Sequence, residues 1–327
     1  MKLFNRTNIT WLILIILTFV LLEIGVTTGF TSPVMQQTLV TIMINIMLAV
    51  GLNLIVGFSG QLALGHAGFM AIGAYATGIM TRQSPNFISF ILSVLAGAVI
   101  AGIVAFIVGY PTLRLKGDYL AIATLGVAEI IRVAILNMEG LTNGAAGLSG
   151  IPIYLMNWRT ATVFTVIVVI FVLNYIRSSR GRATIAVRED EIATESLGIN
   201  TTKMKVAAFV IGAMAAAVAG SVHATNLGVI NPSQFGFDRS IDVLITVVFG
   251  GIGSITGSIV AGFILGILNL YLQQFGALRM IIYAIALIGI MIFKPSGLLG
   301  GREFSLSTLL GREEDRPGFI KSLKKKD

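Results

Sequence analysis

The chain has 327 residues, 55% of them hydrophobic and only 12% charged, with a mean hydropathy of +0.90 and a formal net charge of +8. Soluble domains carry about 25% charged residues, so the composition excludes a soluble fold. The basic charge sits in loops and tails, as membrane topology requires, which argues against nucleic acid as a partner; without cysteine there is no disulfide, thiol chemistry or cysteine metal site.

Ile9–Val26 is apolar and long enough to span a bilayer. No small-x-small cleavage site follows it, so it reads as a retained first helix, with Glu23 at the interface. The second span, Val34–Val56, carries Asn45 and Asn53 two turns apart and hence on one face. Amides in lipid need partners, so that face should point into the bundle or a cavity. Gly57–Gly78 is then interrupted by six glycines and contains Gln61 and His66. A broken or re-entrant helix lining a path fits this stretch. His66 on its own reads first as a packed, hydrogen-bonded histidine, since His223 is the only other histidine and no carboxylates cluster with them to hold a metal.

Phe87–Val108 and Asp118–Asn137 are the next spans. Thr124 lies in the second of these, where Glu129 and Arg132 stand one turn apart and can pair. Unpaired, each charge would cost at least about 2.5 kcal/mol at the bilayer centre. A structural ion pair and a polar lining on a transport path are both open readings. Leu141–Thr160 is polar and glycine-rich, contains Asn143, and reads as an external loop anchored by Trp158.

Ala161–Ile176 and Val206–Ala224 are apolar, and between them lies the one long charged segment of the chain's interior, Arg177–Lys205. Within it Ala183–Leu197 reads as a short helix with Gly198 where a C-cap glycine belongs. Such a helix cannot lie in lipid. It should lie flat at the membrane surface and offer a face to a cytoplasmic partner. Further on, Gly250, Gly251, Gly253 and Gly257 split an apolar region into Ile241–Phe249 and Ser258–Phe275. Two interrupted segments in corresponding halves point to a central site. Leu278–Phe293 is the last span.

The expected fold is therefore an all-α integral membrane bundle of about ten segments, or eight if the two glycine-broken regions do not cross. Residues 1–294 form the transmembrane domain, with the charged loop at 177–205 and its surface helix, and residues 295–327 form a basic tail. With both termini inside, eighteen Lys and Arg fall inside and four outside, with Arg132 intramembrane. The positive-inside rule supports that orientation. No phosphate-binding loop, nucleophile elbow or zinc-protease motif is present, so neither an enzyme activity nor a cofactor is expected.

Four stretches now carry a resemblance: GLNLIVGFSGQLALGHAGFMAIGAY, LKGDYLAIATLGVAEIIR, TNGAAGLSGIP and GRATIAVREDEIATESLGIN. In this order they resemble the permeases of branched-chain amino acid ABC importers, specifically the M-type subunit of the Liv-type system, from about Gly51 to Gly300. The resemblance implies two partner ATPase subunits, a second homologous permease subunit, an extracytoplasmic substrate-binding protein, and alternating access driven by ATP. The family's coupling segment maps onto Glu191–Gly198. On that basis Arg182, Arg188, Glu189, Asp190, Glu191, Ala193 and Gly198 are the expected transmission surface. Asn53, Gln61, His66, Thr124, Glu129 and Asn143 are the expected path residues. Two other readings remain: the same machine carrying urea or short amides, and a stand-alone ion-coupled secondary transporter, which would have no need of the charged loop.

Overall fold

The computed structural model describes residues 33–115 and 117–272, with Glu23, Phe275, Leu278, Ile285, Ile288, Gly297 and Leu298 described singly. Contacts divide the chain into a unit Val34–Arg302 and a second unit that joins Met1–Pro33 with Glu303–Asp327. The expected span Ile9–Val26, most of Leu278–Phe293 and nearly all of the tail lie outside the described residues.

The described chain is helical almost throughout. Helix α1 (Pro33–Asn53) runs directly into a π-helical turn, Leu54–Phe58. An irregular stretch, Ser59–Gly65, leads into α2 (His66–Gln83). Then follow α3 (Phe87–Thr112), α4 (Asp118–Asn137) and the single turn α5 (Glu139–Thr142). Strand β1 (Leu148–Ser149) precedes α6 (Trp158–Arg177), and α7 (Ser179–Glu189) and α8 (Glu191–Ser196) follow it. The chain continues through α9 (Thr201–Leu227), β2 (Val229–Ile230), α10 (Phe237–Gly250) and α11 (Ile255–Leu272). Among the described residues six helical stretches are long and apolar enough to cross a membrane: 34–58, 87–112, 118–137, 158–177, 201–227 and 255–272.

Side-chain spacing explains which faces meet lipid. On α3 the exposed residues Ile88, Leu92, Leu95, Val99, Ile103 and Phe106 recur every three or four positions, which makes one apolar stripe. The opposite face carries small residues and packs inward. Helices α2, α3 and α9 form the centre, and they cross on glycines. A Cβ on Gly73 would lie 1.9 Å from the Ala217 carbonyl oxygen, and one on Gly220 would lie 1.9 Å from that of Met70. Ser221 Oγ reinforces this crossing by donating to the Gly73 carbonyl at 3.2 Å. Lipid tails are as apolar as leucine, so close backbone approach and such bonds supply the association.

Two expectations change. The interruption predicted across Gly57–Gly78 is confined to Ser59–Gly65; from His66 onward the helix is continuous, and Gly68, Gly73 and Gly78 serve close packing rather than breakage. The single helix predicted at Ala183–Leu197 is two helices. Asp190 leaves the helical conformation and its Oδ1 accepts the Ile192 and Ala193 amides at 2.9 and 3.0 Å, so it caps α8. Gly198 follows α8 with φ +81°, the left-handed conformation a helix-ending glycine adopts. At the other end of α6, β1 and β2 pair antiparallel, Leu148 opposite Ile230 and Ser149 opposite Val229, which joins two loops 80 residues apart into one platform.

Candidate functional site

The two interruptions in the chain touch each other. The first follows the π-helical turn, a rare element that is frequent at functional sites. The second is the tight turn Gly251–Ser254 between α10 and α11, where Gly251 and Gly253 take φ values of +110° and +85°. Non-helical backbone at membrane depth must be satisfied by protein, and the side chain of Asn53 does this for the second break. Its Nδ2 donates to the Ser254 carbonyl at 2.8 Å and to Ser258 Oγ at 2.7 Å, with the Gly251 carbonyl at 3.4 Å. Its Oδ1 accepts the Gly253 amide at 2.8 Å. Asn53 is fully buried there. The approach is so close that a Cβ on Gly57 would lie 2.4 Å from the Gly253 nitrogen.

Arg188, near the end of α7, reaches into this junction. Its Nη1 donates to the Gly57 carbonyl at 2.6 Å. The same nitrogen lies 2.8 Å from where a Gly253 Cβ would sit, and its aliphatic stem packs over Gly60. A guanidinium bond to a carbonyl is charge-assisted and stronger than a neutral one. One side chain of the charged segment thus bears on both breaks.

Other elements fasten the rest of the first break. The Leu64 amide donates to Thr124 Oγ1 of α4 at 3.0 Å, and a Cβ on Gly65 would meet the Thr124 carbonyl oxygen at 2.2 Å. The Ala67 amide, in the first turn of α2, donates to Ser240 Oγ of α10 at 3.1 Å. Within the break Gln61 is buried and donates to Ser59 Oγ. Gln61 Oε1 and His66 Nε2 are buried and take no hydrogen bond among the described residues. Four of the expected path residues, Asn53, Gln61, His66 and Thr124, therefore share one neighbourhood. The other two do not join it. Glu129 pairs with Arg132 on the outer face of α4. Asn143 sits at φ +60° and bonds the Gly147 carbonyl at 3.0 Å, serving its own turn.

The expected transmission residues lie together on α7 and α8. Arg182 donates to the Arg177 carbonyl and to Ser179 Oγ at the α6–α7 joint. Glu189 is exposed beside Arg188, and Glu191 accepts from Lys205 Nζ at 2.6 Å, which ties α8 to α9. Ala193 is exposed. Sequence reasoning passed over two residues here. Ile192 on α8 and Leu197 just past its end stand 77% and 80% exposed. Their signal was two large apolar residues in Glu189–Gly198, a stretch otherwise charged, polar or small. It also missed Ser254, Ser258 and Ser240 as partners of the breaks; the cavity expected beside Asn45 is a polar one of about 70 Å³ between α1, α10 and α11, whose other polar groups the sequence did not point to. Asn45, Arg239, Asp242 and Asn269 line that cavity, with Arg239 Nη2 donating to Asn45 Oδ1 at 2.8 Å.

Six helices long and apolar enough to cross a membrane, two chain breaks in contact and the Arg188 side chain reaching into their junction are what a polytopic membrane protein of the transporter class would show. Residues 34–293 match the family described as branched-chain amino acid transport system, permease component, and the chain belongs to that family. It is 36% identical over 290 residues to the high-affinity branched-chain amino acid transport system permease protein LivM of Salmonella typhimurium, covering 79% of this chain and 68% of that protein. Similarity to LivM of Escherichia coli K12 has the same extent. The chain is also 29% identical over 286 residues to the permease protein LivH of Escherichia coli K12, covering 79% of this chain and 91% of that one. No solved structure matches.

Proposed function

We propose that this chain is the M-type permease subunit of a Liv-type ABC importer that moves branched-chain or other hydrophobic amino acids across a bacterial inner membrane by alternating access. Ten segments cross, both termini are cytoplasmic, and a homologous permease, two ATPase subunits and an extracytoplasmic binding protein complete the machine. Similarity to both LivM and LivH supports a pair of related permeases. The observation that carries the mechanism is Arg188 on the Gly57 carbonyl. In this reading α7 and α8 are the cytoplasmic coupling element. Ile192 and Leu197 enter a cleft on an ATPase, Ala193 and Glu189 flank them, Asp190 and Gly198 fix the ends of α8, and Arg182 holds the α6–α7 joint. Movement of this rigid pair shifts Gly57, and with it the two breaks hinged at Gly253 and Ser59–Gly65, which rocks the bundle between outward-open and inward-open states. Asn53, Gln61, His66 and Thr124 surround the moving segment.

The test is uptake of labelled leucine into proteoliposomes holding the complete complex and its binding protein. Uptake that requires ATP is expected. Leucine uptake by this chain alone without ATP would overturn the importer reading in favour of a stand-alone carrier, and ATP-dependent uptake of urea but not leucine would reassign the cargo.

A further inference from the structure

Glu129 and Arg132 form a bidentate pair. Arg132 Nε donates to Oε1 at 3.0 Å and to Oε2 at 2.9 Å, and Nη2 also donates to Oε1. They are the twelfth and fifteenth residues of the 20-residue span α4. At 1.5 Å per residue, Glu129 lies roughly 17 Å from the start of the span and roughly 12 Å from its end. The pair is not covered by this chain: the Glu129 side chain is 51% exposed and that of Arg132 is 28% exposed.

Nothing in the fold accounts for it. Both residues belong to one turn of one helix, and neither side chain bonds any other group among the described residues, so the pair joins no two elements. An ion pair of this spacing contributes little to a helix, far less than exposure of two charges to lipid costs. This face of α4 must therefore meet something polar.

Its surroundings have a definite chemistry. One turn before Glu129 stands Gly126, where an added Cβ would meet nothing within 4 Å, which leaves an open notch. Ile122, Ile130 and Val133 are exposed around the pair, 66%, 70% and 42% respectively. A carboxylate, a guanidinium fork and an apolar wall on one face are complementary to a zwitterion with an apolar side chain. The inner face of the same helix holds the first chain break through Thr124 on the Leu64 amide, and packs on α2 through Ala128 against Gly68.

We infer that Glu129 and Arg132 are a receptor for the ammonium and carboxylate of an α-amino acid, on a face of α4 that a homologous permease chain closes. The inference rests on the importer reading above. Without substrate the two side chains neutralise each other. With substrate, the ammonium pairs with Glu129 and the carboxylate with the Arg132 fork, so one internal pair is exchanged for two external ones with no change in net charge. The substrate side chain lies on Ile122, Ile130 and Val133, beside the notch at Gly126.

The experiment uses the complete complex in proteoliposomes with labelled leucine at saturating binding protein. It compares wild type, the double variant Glu129→Gln/Arg132→Gln, and the exchange Glu129→Arg/Arg132→Glu. ATP hydrolysis and the subunit composition of each purified complex are measured alongside. The inference expects both variants to retain the second permease and to hydrolyse ATP, with uptake lowered about ten- to a hundredfold, the loss of one or two charge-assisted bonds. It is overturned if the exchange restores wild-type uptake, which marks a merely structural pair. It is equally overturned if the double variant transports normally, or if it purifies without the second permease, which assigns the pair to subunit contact. Should the double variant not be recovered at all, Arg132→Lys decides: reduced uptake with ATP hydrolysis intact supports the inference, and unchanged uptake overturns it. A wild-type complex that lacks ATP-dependent uptake sinks the importer reading instead, so the two failures are distinguishable.

Discussion

Arg188 and Gly57 are 131 residues apart in the chain and 2.6 Å apart between the guanidinium Nη1 and the carbonyl oxygen. The bond joins the charged helix α7 to the point where α1 gives way to a π-helical turn. A glycine is required at Gly57 because the Asn53 side chain and the Gly253 backbone occupy the space of any Cβ. The carbonyl freed by the unwinding is left for the arginine. The consequences can be tested at each component of the junction.

Asn53 satisfies one backbone donor and the carbonyl of Ser254 in a fully buried setting. Asn53→Ala leaves them unpaired at about 1–3 kcal/mol each. Asn53→Asp should be worse, since it faces the Ser254 carbonyl with a second acceptor and buries a charge. The thermal midpoint of the detergent-solubilised complex should fall in the order wild type, Ala, Asp. Equal midpoints for all three would show that Asn53 does not hold the breaks together.

Gly220→Ala tests the α2–α9 crossing. The new methyl would lie 1.9 Å from the Met70 carbonyl oxygen, so two backbones must separate. Overpacking of this kind costs about 1–3 kcal/mol. Gly140→Ala is the control, since its methyl would meet nothing within 4 Å and its backbone conformation suits any residue. Folded yield and thermal midpoint should drop for the first and hold for the second.

On α8 and just past its end, Ile192→Glu and Leu197→Glu remove apolar side chains that touch little of this chain. Each should leave the stability of the permease within about 0.5 kcal/mol of wild type and release the ATPase subunits during co-purification. Asp190→Ala should weaken the same association by about 1 kcal/mol through loss of the helix cap, with Asp190→Asn retaining most of it. Unchanged ATPase recovery in all of these would place the coupling surface elsewhere.

Local physics made part of this legible in the sequence. A charged segment between two apolar ones reads as lying outside lipid, and Gly198 declared the helix end that the chain has there. Asn53 was recognised as needing a partner, because an amide in an apolar helix always does. Its partner was not legible: Gly253 and Ser254 lie about 200 positions away, and nothing local to either segment encodes their meeting. The division of the charged helix at Asp190 was hidden for a different reason. In a run of Glu189, Asp190 and Glu191 the aspartate reads as one more solvated charge, although an aspartate followed by Glu-Ile-Ala is also what opens a helix. Asn143, expected on the path, has a left-handed backbone and a bond to the Gly147 carbonyl that serve its own turn.

The most direct measurement is the number of ATP molecules hydrolysed per leucine imported by the reconstituted complex, for wild type and Arg188→Ala. If Arg188 carries the movement of α7 and α8 to the two breaks, the variant keeps its ATPase subunits and its ATP hydrolysis while uptake falls at least about tenfold, so the ratio climbs by that factor. A ratio equal to wild type, with uptake intact, would contradict the account.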